Sequence, residues 1–290
     1  MLIRLANKLK FGWRGHRYKP ADFVPADARV SIGREFCQNG FVIVPKVFTP
    51  EEIAAFRSLA LNILPPNQPP YTNQFINQAP FAEKLFRETI FRNARFVAAF
   101  RELLGDDFTF INEAGLHDSF HAGWHSDTTS PEAKGGHEFH WSPEFSLINA
   151  AIYLQDNNGN GGGLDSVPGS HMRDDPYAIT LRRENNFPPS HRVAEDAGDP
   201  YREAVTLRTT TGDVVFFHVR TWHRSSVPTK PAVDDRRRKL AFFLLAGRNN
   251  ALTRRYCVWL DEYAKMEGTL RPEPPPEFKS LLADLGLTVI

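Results

Sequence analysis

Three stretches of the sequence carry residue types that could hold a metal ion and a small acid. The first is Gly123-Trp124-His125-Ser126-Asp127. His125 and Asp127 are two apart, so on a β-strand both side chains leave the same face. One imidazole and one carboxylate on one face supply two of the three ligands of a facial triad for non-haem Fe(II). The pair alone carries little, because a chain with ten histidines meets His-x-Asp by chance on the order of half a time. The second stretch runs from Gly212-Asp213 through the apolar Val214–Phe217 to His218, His223 and Ser225. A third ligand would come from His218 or His223. His223 falls at the expected strand end, where a jelly-roll body opens, and His218 sits between Phe217 and Val219. The third stretch is Asp235-Arg236-Arg237-Arg238-Lys239, ahead of LAFFLLAG. Most of this run reads as solvated charge. One arginine turned inward would pair bidentately with a carboxylate of a dicarboxylic acid.

These residues need strands to position them, and the second half of the chain supplies the pattern. DFTFINEAGL, FSLINAAIYL, AVTLRT, DVVFFHV and KLAFFLLAG are short runs rich in β-branched, aromatic and aliphatic residues, separated by turn signals such as NNGNGGG and TTTGD. No regular helix alternates with them, which argues for a sandwich or barrel over a parallel α/β sheet. The front half reads as helical. Residues 31–39 form a short helix ending at Gly40, followed by a strand in GFVIVPKVF. Thr49-Pro50-Glu51-Glu52 opens a helix to about Leu64, with Thr49 as cap, Pro50 at the first position and Glu52 completing a capping box. The Pro- and Asn-rich stretch 64–80 reads as a loop. Residues 81–104 read as helix broken near Asn93, and 250–265 as a last helix before PEPPP and a short helical tail. The polar insertions 128–144 and 172–204 read, with 64–80, as lids or binding loops.

Composition narrows the classes. The chain has 290 residues with 23 Phe, 7 Tyr and 5 Trp to bury, so disorder is excluded as its main state. Lys plus Arg number 35 against 34 Asp plus Glu, which gives no support to nucleic-acid binding. Two cysteines, Cys37 and Cys257, exclude a Cys-based zinc pattern and fit a reducing, cytoplasmic location. No apolar run reaches the roughly 18 residues of a membrane span. The expected division is a basic N-terminal segment, 1–30, and one domain over 31–290. Residues 1–19 hold six Lys or Arg and no acid, with Leu2, Leu5, Leu9 and Trp13 at near-helical spacing. This segment is expected to pack over the domain; contact with an anionic membrane surface and mitochondrial targeting are the other readings. His117, His121, His137, His140 and His171 read as packing or hydrogen-bonding residues, with Lys134, His137 and His140 as candidates for the substrate entrance. Gly161–Gly163 lacks the Gly-Lys-Ser/Thr ending of a phosphate loop and reads as a turn.

The order of these motifs resembles that of the phytanoyl-CoA dioxygenase family of Fe(II)- and 2-oxoglutarate-dependent oxygenases. GWHSD resembles the family's Trp-His-x-Asp segment. GGGLDSVPGSH, residues 161–171, resembles its Gly-x-Leu-x-x-x-Pro-Gly-Ser-His turn, and GDVVFFHVRTWHRSS its strand bearing the distal histidine. The resemblance spans about residues 33–248. It implies a mainly β fold with flanking helices, a double-stranded β-helix (jelly roll, cupin-like) behind an N-terminal helical layer. It selects His223 over His218, so that His125, Asp127 and His223 are the implied catalytic and metal-binding residues. Arg238, with Arg237 as second choice, and Ser225 are implied to bind 2-oxoglutarate. Implied cofactors and co-substrates are Fe(II), 2-oxoglutarate and O₂, with ascorbate as a candidate stimulant. The implied reaction is hydroxylation, desaturation or cyclisation of a small or medium organic substrate, releasing succinate and CO₂. Asp127 speaks against halogenation, since halogenases of this architecture lack that carboxylate. Ectoine hydroxylases share the Trp-His-x-Asp string but continue differently from TTSPEAKGGHEFHW, so another substrate than ectoine is expected. A non-oxidative metal enzyme and an inactive binding protein on the same cupin-like scaffold are the competing readings. Oligomeric state is not legible in the sequence.

Overall fold

The computed structural model describes residues 21–22, 31–65, 74–118, 125–128, 142, 144–158, 163–172, 204–226, 239–266, 268 and 270–290. The basic segment 1–20, His121, Lys134, His137, His140, Arg237, Arg238 and nearly all of the insertions 128–144 and 172–204 lie outside them. In chain order the strands are β1 (Ala21–Asp22), β2 (Phe41–Val44), β3 (Gln74–Asn77), β4 (Phe108–Asp118), β5 (Leu147–Tyr153), β6 (Leu164–Ser166), β7 (Val205–Leu207), β8 (Val214–His218), β9 (His223–Ser225), β10 (Leu240–Arg248) and β11 (Thr288–Val289). The helices are α1 (Ile32–Asn39), α2 (Pro50–Ile63), α3 (Ala79–Ala82), α4 (Lys84–Arg92), α5 (Ala94–Leu104), α6 (Ala251–Met266) and α7 (Pro276–Asp284).

The strands form two sheets, and the architecture is the expected cupin-like, mainly β fold with flanking helices. The larger sheet has the order β11-β4-β10-β5-β8-β2, with β3 also on β4. The smaller has the order β1-β7-β6-β9. Period-two alternation gives the large sheet two different faces. Phe110, Leu116, Ile148, Ile152, Phe216 and Phe242 point outward and pack under the helices with Phe56, Phe86, Phe91 and Phe100. The rings meet edge to face: Phe86–Phe242 at 4.5 Å, Phe91–Phe110 at 4.9 Å and Phe100–Phe216 at 5.0 Å between centroids, a geometry that aromatic quadrupoles favour. Alternate residues Phe41, Ile43, Ala151, Tyr153, Val215, Phe217 and Ala241 point inward, toward Leu164 and Leu207 of the small sheet.

The helical signals act as the sequence predicts. Thr49 accepts from the Glu52 backbone N–H at 3.1 Å, and the Glu52 carboxylate accepts from the Thr49 N–H at 2.8 Å. Asn93 ends α4 and caps α5, accepting from the Phe96 N–H at 3.0 Å. Gly40 closes α1 at φ 79°, and a Cβ there would meet Nδ1 of His171 at 2.4 Å and Oγ1 of Thr221 at 2.6 Å. Only glycine fits that combination of backbone and space.

Two expectations are corrected. Residues 64–80 are not all loop: 74–77 pair with 115–118 of β4, and α3 begins at Ala79. The turn 161–171 contains β6, held between β7 and β9. Both segments are too short and too polar to show a period, and tertiary pairing overrides their local preference.

Candidate metal centre

The site forms where the chain passes from the large sheet to the small one. β8 ends at His218, a turn follows, and His223 is the first residue of β9, opposite Ser166. On its other side His223 exchanges both backbone hydrogen bonds with His125, at 2.9 and 2.8 Å. The Asp127 N–H donates to the Val219 carbonyl at 2.9 Å, and the Val219 N–H to that of Leu147 at 3.1 Å. Backbone bonds thus clamp His125 to the small sheet and Asp127 to the end of the large one.

The side chains converge. One ligand atom from each of His125, Asp127 and His223 lies within 4.8 Å of the other two. Oδ1 of Asp127 is 3.7 Å from Nε2 of His125 and 3.6 Å from Nε2 of His223. These separations are too long for hydrogen bonds and suit one ion bonded at about 2 Å to each group. Nδ1 of His223 lies 2.8 Å from the Thr221 carbonyl. Its N–H donates there, which leaves the Nε2 lone pair for the centre. Phe217 packs on the His223 ring at 4.7 Å. His223 is 5% exposed against 31% for His125, so the centre opens on the His125 side.

His218 does not join. It is buried, with Nε2 at 3.4 Å from the Phe145 carbonyl and its ring 5.7 Å from that of His171. Burial, then Arg220, pushes both imidazoles down, His171 to about 4. They are neutral packing residues behind the Gly40 turn. Ser225, two residues after His223 on β9, shares its face.

Sequence reasoning missed three residues around the centre. Nδ2 of Asn149 donates to Oδ2 of Asp127 at 3.3 Å, which fixes the carboxylate from behind. Asp165 is buried and accepts from Thr206 at 2.8 Å, Arg224 at 2.9 Å and Ser226 at 2.7 Å, tying β9 to the small sheet. Tyr153 is buried with its hydroxyl unpartnered among the described residues, and burial, then Asp165, pushes its phenol up. The signal for Asn149 and Tyr153 was a polar group at an inward position of an otherwise apolar strand.

Register extends the inner face away from the centre. Asn149 lies opposite Leu245 and Phe217. One step further along the strands come Gly115, Phe243, Ala151 and Val215, and then His117, Ala241 and Tyr153. Gly115, Ala151 and Ala241 place little or no side-chain bulk at these inward positions. Burial pushes His117 down to about 4.

The phytanoyl-CoA dioxygenase (PhyH) family model matches residues 36–229, more than half of the chain. The chain belongs to the phytanoyl-CoA dioxygenase family. Among curated relatives, the ectoine dioxygenase of Bordetella bronchiseptica (strain ATCC BAA-588 / NCTC 13252 / RB50) is 26% identical over 245 residues, 73% of each chain. That of Stutzerimonas stutzeri (strain A1501) is 23% identical over 265 residues, 82% of this chain and 83% of the relative. Among solved structures, HygX from Streptomyces hygroscopicus with nickel and 2-oxoglutarate bound superposes with a TM-score of 0.54 at 18% identity, covering 74% of this chain and 85% of HygX. Family membership accounts for the double-stranded β-helix and the order of the motifs. No helix among the described residues is long and apolar enough to cross a membrane.

Proposed function

We propose that this protein is an Fe(II)- and 2-oxoglutarate-dependent dioxygenase that oxidises a small or medium organic substrate by hydroxylation, desaturation or cyclisation. The observation that carries the reading is the convergence of His125, Asp127 and His223 at the joint of the two sheets. Two imidazoles and one carboxylate on one side of an ion leave the other side for exchangeable ligands. Bound iron and 2-oxoglutarate supply the oxidising chemistry, with succinate and CO₂ as co-products.

The chain's own residues fit that pair. His223 is held in the tautomer that offers Nε2, and Asn149 holds Asp127. Leading away from the centre, the small Ala151 and Ala241 are at inward positions. Ser225 shares the His223 face, and the Tyr153 hydroxyl is a buried donor without a partner among the described residues. A dicarboxylate with one end at the centre would lie along this path. We assign its far carboxylate to Ser225 and Arg238, with Arg237 as second choice. The walls of Phe217, Phe243 and Val215 exclude water around it.

HygX has been solved with hygromycin B, nickel and 2-oxoglutarate, and the relatives above are ectoine dioxygenases. Sequence identity near 25% does not carry a substrate across. The family resemblance leads us to expect that the segment after Asp127 differs from that of ectoine hydroxylases, and we propose a substrate other than ectoine; efficient turnover of ectoine would overturn that. The general reading is tested by iron-dependent release of succinate from 2-oxoglutarate. It predicts release in the wild type, none in Asp127→Ala, and a raised 2-oxoglutarate requirement in Arg238→Ala. Iron bound without any succinate release would favour a non-oxidative enzyme on this scaffold.

A further inference from the structure

Alternation along β5 puts Asn149, Ala151 and Tyr153 on its inner face. Asn149 stands at the centre, with its amide on Asp127 at 3.3 Å. Tyr153 is the last residue of the strand, four residues and roughly 13 Å further along. Ala151 between them offers only a methyl group.

Packing and register fix where Tyr153 sits. Its side chain is buried, with the residue 3% exposed, and it lies opposite Ala241 of β10. It shares one cluster with Ala151 and Phe217 of the large sheet and Leu164 of the small one. Phe217 packs on the His223 ring at 4.7 Å, and Leu164 is opposite Ser225, two residues after His223. Tyr153 therefore belongs to the layer between the sheets that begins at the centre.

Its hydroxyl has no hydrogen-bond partner among the described residues. A buried donor without an acceptor is costly and rare. Burial, then Asp165, pushes the phenol up, so the hydroxyl keeps its proton. Asp165 is engaged elsewhere, since it accepts from Thr206, Arg224 and Ser226. A water molecule would find little else to bond among Ala151, Val215 and Leu164. An anionic acceptor tethered at its other end suits this place better, because a hydrogen bond to an ionised oxygen is stronger than one to a neutral group.

We propose that the Tyr153 hydroxyl donates to the far carboxylate of 2-oxoglutarate, and that this bond makes the site select a diacid over a 2-oxo monoacid. The inference rests on the iron and 2-oxoglutarate reading and adds a recognition residue to it. From the roughly 13 Å between Asn149 and Tyr153, the ion's bonds of about 2 Å and the reach of the phenol ring are to be subtracted. The remainder suits a five-carbon diacid chelated at one end. Tyr153 binds and orients the co-substrate beside Ser225, and its proton stays on the phenol.

The test uses full-length protein loaded with Fe(II) under anaerobic conditions. It is titrated with 2-oxoglutarate and with 2-oxopentanoate, which carries a methyl group in place of the far carboxylate. Binding is read from the visible band of the ferrous keto-acid chelate. Tyr153→Phe should raise the Kd for 2-oxoglutarate roughly 10- to 100-fold and leave that for 2-oxopentanoate unchanged. Iron affinity should not move. The Tm of the metal-free variant should be no lower than that of the wild type, because the substitution removes only an unpartnered hydroxyl. An unchanged Kd for 2-oxoglutarate, equal weakening of both acids, or a lowered Tm would each overturn the inference alone. Failure of the band to form in the wild type with 2-oxoglutarate would overturn the reading of the centre beneath it.

Discussion

The two faces of the large sheet are built from the same strands and do opposite work. Outward, Phe110, Phe216 and Phe242 interlock with helical phenylalanines in a dry, close-packed layer. Inward, the residues between them include Gly115, Ala151, Ala241, Asn149 and Tyr153, which are small or bring polar groups. The outer face spends its side chains on burial, and the inner face withholds bulk and places chemistry. Rigidity on one side holds the polar groups of the other in place, since a site keeps its geometry only if its supports are backed.

That comparison can be broken at several points. The largest effect is expected at the centre. His125→Ala, Asp127→Ala and His223→Ala should each abolish succinate release and leave circular dichroism close to the wild type. Loss in His218→Ala with activity in His223→Ala would reassign the distal ligand. On the other face, Phe242→Ala should cost about 3–5 kcal/mol in denaturant unfolding without changing iron stoichiometry per folded molecule. If it weakens iron binding as strongly as Asp127→Ala, the faces are not separable. Asn149→Ala sharpens the contrast, because it removes a support and no ligand. Iron affinity by competitive titration should fall about 10- to 100-fold. Acid should act through the packing histidines. The folded-state values of His117 and His171 lie near 4, below the ordinary 6.5, so the unfolded chain binds more protons between those values. Stability is therefore full above pH 6.5 and is lost as pH falls toward 4. A Tm for metal-free protein that stays flat across that interval would contradict their burial as neutral groups. The smallest effect is Thr49→Ala, which should cost about 1 kcal/mol and leave the inner face untouched.

Legibility in the sequence followed the same division. The capping box at Thr49, the break at Asn93, the turn at Gly40 and the long apolar strands were readable, because local signals and burial agree there. Strands Gln74–Asn77 and Leu164–Ser166 were not, because partners distant in sequence create them. Of the centre, His125 and Asp127 were legible as a pair from spacing, and the choice of His223 came from family resemblance. Asn149 and Tyr153 were hidden inside an apolar run, where one polar residue looks like noise until the register shows that it points inward. Arg238 and Arg237 lie outside the described residues, and their assignment still rests on the resemblance.

The central claim is that His125, Asp127 and His223 hold iron in a form that chelates 2-oxoglutarate. The most direct measurement is anaerobic titration of the metal-free protein with Fe(II) and then 2-oxoglutarate, following the weak visible charge-transfer band of a ferrous keto-acid chelate. The account predicts a saturating band in the wild type and none in Asp127→Ala. Iron that binds with full stoichiometry but gives no band with 2-oxoglutarate would contradict it.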